Sequence, residues 1–206
     1  MTTGRLLFWL GLTTTFAGLL IQYPIAISTR MAEGYSFLGA LIRFNSFFTI
    51  LTNTLVLFVY LSQFKQGVLC FFNRSIVKAT ALASYLVVMI VYHLLLSAAH
   101  NPTGMEAIAN LFLHYIGPVL FPLWWWFEGR SGNLNWSQLP KLLIFPVAYL
   151  VYVNVRAFIV NEYPYEFLNI KLNGIAGVAP IVGAIVVLFL ILGLIIFYLD
   201  RKKSQP

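Results

Sequence analysis

Two clusters of polar residues stand where the chain is otherwise apolar, and one carries an imidazole able to take a proton from a hydroxyl. RFNSFFTILTN, residues 43–53, holds Arg43, Asn45, Ser46, Thr49, Thr52 and Asn53 inside a Phe-, Leu- and Ile-rich stretch. On a continuous helix at about 100° per residue, Asn45, Ser46, Thr49, Thr52 and Asn53 share about a third of the circumference, with Arg43 at the edge. The second cluster, Glu106, Asn110, His114 and Gly117, follows i, i+4, i+8, i+11 and also lies on one face, with Pro118 beside it. A neutral His114 accepts a proton from a neighbouring hydroxyl if geometry allows. The plainer alternative is that Ser, Thr and Asn join helices by hydrogen bonds and that a lone histidine is a packing residue. Arg43 fits that alternative poorly, because a charge at depth is costly and needs a partner.

The elements that must position these residues are membrane helices. The chain is 60% hydrophobic and 9% charged, against about 25% charged in ordinary soluble domains. Its hydrophobicity comes in runs, and a span needs about 20 apolar residues. Six runs qualify, at about 6–28, 35–61, 76–98, 105–127, 142–160 and 174–199. The expected fold is therefore an all-α polytopic membrane protein, a single six-helix transmembrane domain over residues 1–206. The first run is too long for a signal-peptide core and is flanked by Arg5 and Arg30.

Basic residues set the expected orientation, N-in and C-in. Arg5, Lys65, Arg74, Lys78, Arg130, Lys141, Arg201, Lys202 and Lys203 then fall inside. Arg30 and Lys171 fall outside, together with Glu33, Glu106, Glu162 and Glu166. The net charge of +7 is read as orientation signals beside anionic headgroups, so the expected partner is the lipid bilayer and not nucleic acid. The expected location is the cell membrane, the inner one in a Gram-negative source. No cofactor or metal is expected. His93 and His100 are seven residues apart, about 10 Å along a helix, and Cys70 is the single cysteine. In the fifth run Tyr149, Tyr152 and Arg156 share a side, and Arg156 either snorkels or pairs with Glu162. The tryptophans at 124–126 read as an interfacial aromatic belt. Ala179 and Gly183 read as a close helix contact.

FFTILTN, NLFLHYIGP and NEYPYEFLN occur in that order. Together they resemble the prokaryotic six-transmembrane protein family, distantly related to the eukaryotic androgen-induced membrane proteins that hydrolyse fatty acid esters of hydroxy fatty acids. The resemblance runs from the second span to the sixth, and YPYEFLN is its most specific piece. It implies a threonine nucleophile at Thr49 and a histidine partner at His114, with Asn110 one turn before. Tyr115 stands where those enzymes carry a small hydroxyl residue, and Pro118 is one residue nearer the histidine. The function implied is hydrolysis of a fatty-acyl ester. Asn45, Asn53 or Asn110 would donate to the oxyanion and Arg43 or Arg156 would hold a free carboxylate. Two other functions stand beside it: a small transporter or channel for an anionic solute, drawing on Arg43 and Arg156, and a structural membrane protein without catalysis. Two geometric expectations follow. YPYEFLN should form an outer cap at headgroup level, with the fifth helix ending before Pro164. Thr49 and His114 should face each other, with Asn110 in the same cavity.

Overall fold

A chain in lipid has to satisfy its backbone internally, and the long apolar runs do so as helices. The computed structural model describes residues 2–64 and 67–204; Lys65, counted above among the inside charges, lies outside them. α1 (Thr3–Ala32) is followed by α2 (Phe37–Phe44) and α3 (Phe48–Leu61), then α4 (Ser75–Val91), which continues through a π turn to Leu96. α5 (Gly104–Leu111), a π turn (Phe112–Ile116) and α6 (Gly117–Trp124) form one further span ending at Gly129. α7 (Ile144–Val160), led in by a 3-10 stretch, and α8 (Ile170–Arg201) complete an array with no strand among the described residues. Among the described residues five helical stretches are long and apolar enough to cross a membrane, and α2 with α3 makes a sixth if that bent pair is one span. The protein is thus an all-α integral membrane protein. Its outward faces are apolar, to the point that Phe158 is 92% exposed.

The second span departs from expectation. It is not one helix: α2 and α3 meet at 80°, so the single polar face predicted for residues 45–53 does not exist. The cause lies in residues 45–47. Asn45 Nδ2 and Ser46 Oγ both bond back to carbonyls four residues earlier, Leu41 and Ile42, at 2.9 and 2.7 Å. Such side chains compete with the helical ladder. Phe47 then turns extended (φ −79°, ψ 129°) and α3 begins. The freed Ser46 carbonyl is met by the Tyr149 hydroxyl at 3.1 Å, as backbone at membrane depth requires.

α4 lies at the centre, packed against α3, α6 and α8. Its buried residues include every position from 77 to 85, so it has no lipid face there. Tyr85 carries the main polar crossing. It donates to Asn53 Oδ1 at 2.7 Å and lies 3.4 Å from Thr15 Oγ1 on α1. Gly117 makes room for it, since an added Cβ would run into the Tyr85 hydroxyl. Two further readings need correction. Trp124 and Trp125 are core residues, and only Trp126 is exposed, under the Arg130 guanidinium at 3.7 Å. Ala179 and Gly183 are exposed, and a Cβ on Gly183 would meet nothing. The close approaches fall instead at glycines such as Gly11, Gly18 and Gly117.

Charged groups collect at the two ends of the array. At one, Asp200 accepts the Ser131 and Leu134 amides at 3.0 and 3.1 Å, and Thr2 reaches Glu128. At the other are Arg30 with Glu33 and a cluster around Glu162.

Candidate functional site

The break before α3 places a helix start inside the bundle. The first amides of a helix have no acceptor within it, and here Phe47 supplies no side-chain cap. Thr49 occupies this first turn, buried, with its N–H directed at the Tyr165 hydroxyl at 3.5 Å. Its Oγ1 lies 3.3 Å from His114 Nε2. The opposite ring nitrogen, Nδ1, lies 3.3 Å from the Asn110 backbone carbonyl. A carbonyl only accepts, so Nδ1 carries the proton and Nε2 presents a lone pair to Thr49. The Tyr92 ring stacks on the imidazole, centroids 3.8 Å apart and planes at 23°. His114 sits in the π turn Phe112–Ile116, where the Gly117 N–H reaches back to the Phe112 carbonyl. Such turns occur disproportionately at functional sites.

Asn53 sets the spacing of this pair. One turn after Thr49, its Nδ2 donates to the Thr49 carbonyl at 2.8 Å and to the Leu113 carbonyl at 3.3 Å. Leu113 is the residue before His114, so one buried amide ties both sides of the contact. With Oδ1 taken by Tyr85, Asn53 is a strut and not an oxyanion donor. Asn45 is also committed, to Tyr23 at 2.8 Å and to Leu41. Asn110 differs: it lines the same cavity as Thr49 and His114, and its buried Oδ1 has no hydrogen-bond partner among the described residues.

Two spaces meet at Thr49. A cavity of about 790 Å³ runs from Thr49, His114 and Asn110 towards Arg30, Arg43, His100 and Glu106. A narrower slot of about 110 Å³, walled by Val87, Val91, Tyr149, Val182, Ile185 and Phe189 among others, opens from the same threonine. The slot is apolar and the cavity is mixed.

Arg43 and Arg156, expected to hold a substrate carboxylate, are bound to one of the protein's own. Arg43 Nη1 contacts Glu162 Oε2, which Arg156 Nη2 also reaches at 2.7 Å. Tyr35 donates to Glu162 Oε1 at 2.6 Å, and Arg156 Nη1 caps the Glu162 carbonyl at 3.2 Å. Burial opposes the Glu162 charge, but the Tyr35 and Arg156 hydrogen bonds and the Arg43 charge outweigh it and hold the carboxyl down at about 2. Of the two arginines, Arg43 alone lines the cavity.

The segment after α7 behaves partly as anticipated. α7 ends at Val160, and Asn161 closes it in the left-handed conformation (φ 57°), before Pro164. Within the segment Tyr165 reaches inward to Thr49. Tyr165, Tyr92 and Tyr35 were not singled out as site residues from sequence, although Tyr165 lies in the most specific motif. In the fifth span Tyr152 contacts Ser46 Oγ at 2.9 Å, while Asn154 is exposed and bonds the Leu150 carbonyl. Compared with known proteins, the chain matches no family model, no characterised protein and no solved structure.

Proposed function

We propose that this protein is an intramembrane lipid-ester hydrolase in which Thr49 is the nucleophile and His114 its base. The observation that carries the reading is the Thr49–His114 contact, with the imidazole held in the accepting tautomer, at the mouth of a ligand-sized cavity and a small apolar slot. At 3.3 Å the contact is slightly longer than the ~2.6–3.2 Å of a catalytic hydrogen bond tightened on substrate. The resemblance of FFTILTN and NLFLHYIGP to the six-transmembrane family points the same way.

The chemistry runs as follows. Thr49 Oγ1 attacks the ester carbonyl carbon while its proton moves to His114 Nε2. The resulting imidazolium is stabilised by the Asn110 carbonyl at Nδ1 and by the face of Tyr92, which attracts a cation. The ester C–O bond breaks and the leaving alkoxide takes the proton from His114. Water then attacks the acyl-threonine, gives its proton to His114, and the released threonine recovers it. The cavity of about 790 Å³ is of the size that holds a lipid-sized ester, and the apolar slot of about 110 Å³ admits only a short apolar end of it. The anion-transport reading draws less support, because both guanidinium groups already face Glu162.

A panel of long-chain acyl esters offered to the purified protein in nanodiscs tests this. Turnover of at least one ester is expected, with Thr49→Ala and His114→Ala each lowering it by about a hundredfold or more. Equal turnover by Thr49→Ala removes the threonine from the mechanism.

A further inference from the structure

An acyl-transfer site needs a donor for the oxygen that becomes negative, and the asparagines nearest the nucleophile in sequence are spent. Asn45 is held by Tyr23 and Leu41, and Asn53 by Thr49, Leu113 and Tyr85, which leaves Asn110 among the side-chain amides and sets it beside the base, one turn before His114. The hydroxyl beside Thr49 is that of Tyr165, which lines the cavity and the slot alike. Its oxygen accepts the Thr49 N–H at the positive start of α3. The Thr49 side chain is the other hydrogen-bonding neighbour of this hydroxyl, so its O–H is placed where the reacting carbonyl oxygen would sit, and a hydroxyl that accepts from a polarised amide is a stronger donor.

We propose that Tyr165 is the oxyanion donor of this site, passing the positive end of α3 to the ester oxygen through its hydroxyl, and that the Glu162 cluster is the clamp that sets it there. The inference rests on the hydrolase reading. Tyr165 transfers no proton; its O–H hydrogen bond shortens as the carbonyl oxygen gains charge and relaxes when the tetrahedral intermediate collapses. Burial pushes the Tyr165 hydroxyl up from its ordinary value, so it stays protonated at neutral pH.

The clamp follows from where the segment is fastened. Glu162, three residues before Tyr165, is gripped by Arg43 at the end of α2 and Arg156 on α7. The far side is tied by Asn173 Nδ2 to the Glu166 carbonyl at 2.7 Å. Between them the Tyr165 ring stacks on Phe167, centroids 5.1 Å apart, and meets Phe47 edge-on at 5.5 Å. Phe47 is the residue before α3, so the same ring contact registers the hydroxyl against the helix start. Two half-buried arginines around one carboxylate are costly as mere surface anchoring. They are accounted for if they fix a catalytic hydroxyl.

The test compares wild type, Tyr165→Phe and Glu162→Gln for ester turnover and for the rate at which a fluorophosphonate labels Thr49. Tyr165→Phe keeps the ring packing, so kcat and the labelling rate are expected to fall by about 10²–10³ with KM nearly unchanged. Glu162→Gln is expected to lower both by a smaller factor. As a readout independent of folding losses, fluorotyrosines of increasing acidity at position 165 are expected to raise kcat steadily while the phenol stays protonated. Wild-type rates in Tyr165→Phe, or a kcat indifferent to phenol acidity, overturn the Tyr165 assignment and leave the hydrolase reading standing. A wild-type protein that neither turns over ester nor labels at Thr49 overturns both.

Discussion

Replacing Glu162 by glutamine removes the negative charge between Arg43 and Arg156 while keeping the side chain's shape, and its cost follows from the geometry. The carboxyl is shifted from its ordinary 4.5 to about 2, which at about 1.4 kcal/mol per pH unit corresponds to about 3.5 kcal/mol. Glu162 keeps a quarter of its side chain exposed, so solvent screening reduces this to about 2 kcal/mol. Breaking a fully buried pair costs about 3–5 kcal/mol, which bounds the value from above. The sign with pH is definite. A carboxyl lowered in the folded state contributes stability above its unfolded value of about 4.5 and loses it as pH falls towards 2. Unfolding in mixed micelles, followed by circular dichroism, should show Glu162→Gln less stable by about 2 kcal/mol at neutral pH. Thermal midpoints in nonionic detergent should converge for the two proteins as the pH is lowered through that window. Equal stability at neutral pH, or a gap that persists at pH 2, would refute the charge cluster as described.

Four other outcomes are expected. Gly117→Ala forces a Cβ into the Tyr85 hydroxyl and to 2.9 Å from the Phe112 carbonyl, so thermal melts should show a loss of about 1–3 kcal/mol. Gly183→Ala, whose Cβ meets nothing, should instead be neutral or gain up to about 1 kcal/mol in the same melts. Tyr85→Phe strips the buried Asn53 Oδ1 of its donor and should cost about 1–3 kcal/mol; it should also slow Thr49 labelling, because Asn53 spaces Thr49 from His114. Cys70, exposed in the loop after α3, reports the sidedness expected from the basic residues: an impermeant maleimide should label it in inverted vesicles and spare it in intact cells.

The spans were legible because hydrophobic runs respond to a solvent, and lipid selects helices whatever the details of packing. The kink at residues 45–47 was not. Neither Pro nor Gly marks it, and it depends on two side chains bonding back to the helix and on Tyr149, far away in the chain, receiving the freed carbonyl. That one turn decides the site. It separates Asn45 from the Thr49 face, brings Arg43 to Glu162, and gives Thr49 the first turn of a helix. The Arg156–Glu162 pairing was one of two sequence readings because the residues are near neighbours; Arg43 joins them only through tertiary approach. Trp124 and Trp125 mislead for a related reason, since a run of tryptophans near a span end looks interfacial until neighbouring helices bury two of them. Tyr165 sits in a motif whose aromatics suggest a headgroup cap, and only the inward turn of the segment reveals its hydroxyl at Thr49.

The central claim is that Thr49 is an activated nucleophile. The direct measurement is to treat the purified protein with a long-chain fluorophosphonate, digest it, and locate the adduct by tandem mass spectrometry. A covalent phosphonate is predicted on Thr49 Oγ1, formed rapidly in wild type and about a hundredfold or more slower in His114→Ala. No adduct on Thr49, or an adduct whose rate is unchanged in His114→Ala, would contradict it.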